Sequence, residues 1–161
     1  MALVYNLAVM KLALSFKERF LKEGRLDIEK IARTYNISFI ESFGKNEASA
    51  YKKHRRDNES YVLLPKGLTQ PTREYALAHE IGHIVLDHNI TGLSIPEEEM
   101  EANLFAECIT DMNGYEAVDT FFKEVKKLEK ITPSRYKTEE LIERVNSIQF
   151  LEPQRYHFVF G

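Results

Sequence analysis

The 161-residue chain predicts an α+β fold: a small antiparallel three-stranded sheet packed against one long helix, with further helices around it. Three observations predict it. Three short β-like runs, Ile37–Glu41, Ala48–His54 and Tyr61–Leu64, lie close together, separated by turn residues such as Gly44, Asn46, Asp57 and Asn58. After Pro71 the apolar period changes to that of a helix. Apolar residues make up 43% of the chain, enough to bury a core, so disorder is not the default reading.

The elements follow in order. Residues 6–22 read as a helix stopped by Gly24. The apolar stretch Met1–Phe16 lacks a charged leader and is interrupted by Asn6 and Lys11, so it reads as a docked helix rather than a targeting segment. Asp27 can cap a second helix that buries Ile28, Ile31 and Ala32 and ends near Asn36. The three strands come next, the last closed by Pro65 and Gly67. The helix that starts at Pro71 runs to Asp87 or His88, with Asn89 and Gly92 beyond it. Ser94 and Glu97 have capping-box spacing for a helix that reaches about Met112, where Gly114 breaks it. Tyr115–Lys130 and Thr138–Ile148 are helical and charged, and Tyr156–Phe160 is a strand or a tail. The length fits a single domain over residues 1–161.

Composition narrows the function. A net charge of −3 disfavours a nucleic-acid binder, and the weak helix-turn-helix likeness of Asp27–Ser38 has no basic helix after it. No direct nucleic-acid or membrane partner is expected. The single cysteine, Cys108, excludes a disulfide framework and points to a reducing, cytoplasmic setting, where it reads as a core residue.

The chemistry lies in His79-Glu80-Ile81-Gly82-His83. On a helix, positions four apart differ by about 40° in azimuth and about 6 Å in rise, so both imidazoles can reach one zinc ion. Glu80 sits close enough to act on a water at that ion. A catalytic zinc site takes three protein ligands and an open position. A further histidine at 89 would complete one class of site, but Leu86 and Asn89 break that pattern. His88 points away unless the helix ends early. On the next helix, Glu101 falls in the middle of an apolar face with Phe105, Cys108 and Met112, where an unpaired carboxylate costs several kcal/mol. A metal resolves that conflict, so Glu101 is the expected third ligand and Glu98 the reserve. Tyr75, one turn before His79, could line the site, and Asp87 could orient His83. Tyr61, Tyr75, His88 and Arg73 are the possible donors to an oxyanion.

Three stretches resemble the ImmA/IrrE family of zinc metallopeptidases: Thr72–His83, Ile84–His88, and Glu101-Ala102-Asn103-Leu104-Phe105-Ala106. The likeness spans roughly residues 25–112, which would form the metallopeptidase core, leaving 113–161 as a helical extension. It implies a gluzincin-like α+β core in which the helix after Pro71 is a zincin-type HExxH helix. It also implies one zinc ion held by His79, His83 and Glu101, with Glu80 as general base. The expected substrate is a regulatory protein such as a transcriptional repressor. The alternative is a catalytically silent, zinc-containing module that docks on a regulator. The chain departs from the family in Glu107–Met112, which contains no proline.

Overall fold

The computed structural model describes residues 2–42, 46–52, 59–88, 96–132, 140, 142 and 156–159. Among the described residues the fold is mixed α+β, with five helices of defined extent and two small sheets.

Helix α1 (Ala2–Phe20) buries Val9, Ala13, Phe16 and Phe20, a stripe at helical spacing that docks on the helix carrying Phe105. The helix ends at Phe20, before Gly24. Strands β1 (Leu21–Lys22) and β2 (Arg25–Leu26) then form a hairpin, pairing Lys22 with Arg25. Glu23 and Gly24 both have positive φ, as a two-residue hairpin turn requires. Gly24 therefore turns a hairpin instead of stopping a helix. Helix α2 (Ile28–Tyr35) has the expected start: Asp27 accepts a hydrogen bond from the Lys30 N–H at 3.3 Å. It ends at Asn36, which adopts the left-handed conformation.

The second sheet holds β3 (Ile37–Ser42), β4 (Ser49–Lys52), β5 (Ser60–Pro65) and β6 (Tyr156–Val159), in the spatial order β4-β5-β3-β6. It is not the antiparallel sheet that the sequence predicts. β3 pairs parallel with β5, Phe39 opposite Val62, and only β4–β5 is antiparallel. The reason is burial. Every residue of β3 and β5 is buried, so both take interior positions, as near-continuously buried strands in parallel pairs do. The shorter β4 goes to the edge, and β5 inserts between it and β3. At the other edge, β6 pairs parallel with β3.

Helix α3 (Gln70–Val85) crosses the sheet and buries Tyr75, Ala76, Leu77, Ala78 and Ile81. Glu41, buried at the end of β3, ion-pairs with Arg73 of α3, with Lys66 close by. Helix α4 (Pro96–Thr110) lies between α1 and α3, and helix α5 (Gly114–Ile131) starts from an Asn113 cap. The Ser94 capping box, the strand end beyond Lys52 and nearly all of Thr138–Ile148 lie outside the described residues.

Gly82 sets the α3–α4 distance. A Cβ on it would come within 2.9 Å of the Phe105 ring, so only glycine allows this approach. Helix α5 in turn holds the start of α3. Glu124 accepts hydrogen bonds from the Thr69 N–H at 2.7 Å and from the hydroxyls of Thr69 and Thr72. It supplies the cap that the Thr69 side chain does not make itself.

Candidate metal centre

All five residues of His79–His83 lie within α3, whose helical spacing sets the two imidazoles side by side, ring centroids 4.9 Å apart. The carboxylate that meets them is Glu99, in the first turn of α4. Its two oxygens lie 3.0 Å from His79 Nε2 and 3.1 Å from His83 Nε2. A tetrahedral ion with ligand bonds near 2.1 Å separates its donor atoms by about 3.4 Å, so this trio has the spacing and chemistry of a zinc site. The ligand atoms of His79, His83 and Glu99 lie within 4.8 Å of one another.

The structure therefore brings Glu99, rather than Glu101, to the two histidines. Glu101 is buried as its helix position predicts, but its Oε1 lies 2.9 Å from His88 Nε2. An imidazole is thus within hydrogen-bond reach of that carboxylate. Glu98, the reserve, is not part of the converging trio either. Glu99 is half-buried, at the edge of the cleft, so an argument from buried carboxylates passes over it. The signal for Glu99 is its spacing to Asn103, one turn on. Asn103 hydrogen-bonds His79 and accepts a bond from the Tyr75 hydroxyl at 3.0 Å.

His88 reaches the site because α3 ends early. Asp87 adopts the left-handed conformation, φ 55°. The Asp87 N–H bonds the Ile84 carbonyl at 3.1 Å, and the His88 N–H bonds the His83 carbonyl at 2.9 Å. These are the two bonds of a Schellman motif, with aspartate where glycine is usual. The chain folds back, and His88 Nδ1 comes within 2.8 Å of His83 Nδ1. The buried partner of His83 is thus His88, while Asp87, its predicted orienting group, is exposed.

Glu80 is buried, and its carboxylate lies 4.0 Å from His79 Nε2. It faces a cleft of about 260 Å³ lined by His79, Glu80 and Glu99 together with Ala48, Tyr75, Val118, Phe121 and Phe122. Hydrogen bonds from His79 and then His83 hold the Glu99 carboxyl far below its usual range. Burial pulls His79 down, but its bond to Glu99 and the charges of Glu80 and Glu99 outweigh that, so the net shift is upward. Burial, with the Glu107 charge, pushes the Tyr75 phenol well up, so it stays a donor. Of the predicted oxyanion donors, only Tyr75 lines the cleft: Tyr61 is buried in β5, Arg73 is paired with Glu41, and His88 lies behind His83. Cys108 is half-buried, and burial raises its thiol, which keeps it protonated.

Two imidazoles and a carboxylate converging on one point, with a second carboxylate beside them, are a donor set that could hold a metal ion. The sequence profile of the IrrE N-terminal-like domain, a peptidase domain, matches residues 32–145. That is more than half of the chain, which therefore belongs to this family. No curated protein and no solved structure matches significantly. Among the described residues, no helix is long and apolar enough to cross a membrane.

Proposed function

We propose that the chain is a zinc-dependent endopeptidase whose ion is held by His79, His83 and Glu99, with Glu80 as general base. The observation that carries this reading is the convergence of those three donor groups, with His79, Glu99 and Glu80 lining one cleft. When bound, zinc supplies Lewis acidity, which activates a water and polarises a peptide carbonyl. Glu80 accepts the proton of the attacking water and delivers it to the departing amine. The Tyr75 hydroxyl, at the cleft wall, is positioned to donate toward the developing oxyanion.

A peptidase acts on a protein, and the family likeness supports a regulatory protein such as a transcriptional repressor as that substrate. The single thiol supports a cytoplasmic setting. Helix α5 acts with the core in this reading: Val118, Phe121 and Phe122 line the cleft.

Glu80→Gln tests the mechanism. It should keep about one zinc per chain and lose cleavage of a true substrate by about 10²–10⁴-fold, the usual contribution of a general base. Full activity in that variant would refute the role of Glu80. Partner binding without any cleavage by the native chain would favour the silent module instead.

A further inference from the structure

From His83 a chain of buried side chains runs behind the metal centre to His88 and Glu101, which the mechanism above does not use. His83 Nδ1 meets His88 Nδ1 at 2.8 Å, and His88 Nε2 meets Glu101 Oε1 at 2.9 Å. His83, His88 and Glu101 are all at most 8% exposed. Two devices of the fold build this chain. The left-handed Asp87 turns His88 back over His83, and the apolar face of α4 carries Glu101 to the far side of that imidazole.

We infer that Glu101 and His88 are a positioning pair, which imposes on His83 the tautomer whose Nε2 lone pair faces the ion. The inference rests on the ligand set proposed above. Its logic follows from donor and acceptor capacity alone. A carboxylate only accepts, so His88 must carry a proton on Nε2 to bond Glu101. Neutral His88 then presents a lone pair at Nδ1. A neutral His83 donates to it from Nδ1, which frees Nε2 for an ion on the side of His79 and Glu99. With an ion on His83 Nε2 in place of the proton it shares with Glu99, the one ring proton lies on Nδ1, and the chain then runs from His83 through His88 to Glu101. A carboxylate acting through an imidazole also makes the ligand more basic, as carboxylate–histidine pairs do at zinc sites. This accounts for a carboxylate on the apolar face of α4.

The test is the zinc Kd, measured by chelator competition on the purified full chain. Glu101→Ala and His88→Leu should each weaken binding by about 10–100-fold, the usual effect of losing such a partner. The double variant should lose no more than either single, because both act through one chain. Glu101→Gln can donate as well as accept, so it no longer dictates the tautomer. It should fall between native chain and Glu101→Ala, and it carries the test if the alanine variant does not fold. A nitrogen-15 spectrum of the zinc-loaded native chain should show His88 protonated at Nε2 and His83 at Nδ1, a readout that a merely structural role would not set.

Native zinc affinity in Glu101→Gln or Glu101→Ala, independent losses in the double variant, or a His88 proton on Nδ1 would each overturn the inference. Glu99→Ala separates this from failure of the ligand set. If Glu99→Ala loses zinc while Glu101→Ala binds as the native chain does, only the positioning role fails. If Glu99→Ala keeps zinc and Glu101→Ala loses it entirely, the ligand set itself is wrong.

Discussion

At the scale of the residue, the site turns on what each side chain can reach. His79, Glu80 and His83 are legible in the sequence because helical geometry alone makes their spacing useful. The third acid is less so. An apolar face makes a carboxylate conspicuous, and Glu101 is conspicuous, but an ionised carboxylate in a core can be compensated by an imidazole as well as by an ion. The residue that faces the histidines is Glu99, at the edge where α4 meets the cleft, and open metal sites need their ligands at such edges. Gly82 gives a prediction at this scale. Gly82→Ala gains about 1 kcal/mol in helix propensity, yet its methyl meets Phe105 at 2.9 Å. Overpacking costs about 1–3 kcal/mol, so the clash should win. Denaturant unfolding should show a net loss of stability, together with weaker zinc binding as α4 is pushed from α3.

At the scale of the element, helix ends decide more than helix middles. The apolar period of α3 gives no sign of where it stops, and reading it on to Asp87 or His88 turns His88 away from the site. The true end depends on Asp87 entering the left-handed region, which aspartate tolerates without advertising it as glycine would. Asp87→Gly should therefore hold or raise the melting temperature and leave zinc affinity unchanged, whereas Asp87→Val should lower both. The opposite order would remove the Schellman turn from the account. The sheet shows the same limit. The three strands are legible as apolar runs, but their order and direction depend on which of them is buried most, and period-two patterns do not encode that.

The start of α3 is held from a distant part of the chain. Burial pulls the Glu124 carboxyl upward, but bonds from the Thr69 N–H and from the Thr72 and Thr69 hydroxyls outweigh it and the net shift is downward. A folded value below the unfolded one means that Glu124 stabilises above the ordinary carboxylate range. That contribution is lost as pH falls through the lowered folded value. Glu124→Ala should cost about 0.5–2 kcal/mol near neutral pH, as loss of a cap does. The difference from the native chain should shrink on acidification, which thermal melts across pH would show. A deficit that grows in acid would contradict the cap.

At the scale of the whole molecule, three layers converge on one place. The sheet supports α3, α4 packs between α3 and α1, and α5 closes one wall of the cleft while capping α3. The sequence makes the helices and part of the core legible: Ile31 and Phe105 fall on predicted apolar faces and are buried, and Phe16, Phe20, Leu77 and Ile81 are buried within predicted helices. It does not make legible how α4 is set against α3, because that depends on the missing Cβ of Gly82 and the fold-back of His88. That placement decides which glutamate faces the two histidines. The most direct test is the metal content of the purified chain beside that of Glu99→Ala, each normalised to folded protein. The account predicts about one zinc per native chain and close to none in Glu99→Ala. A Glu99→Ala chain that retains a full equivalent of zinc would contradict it.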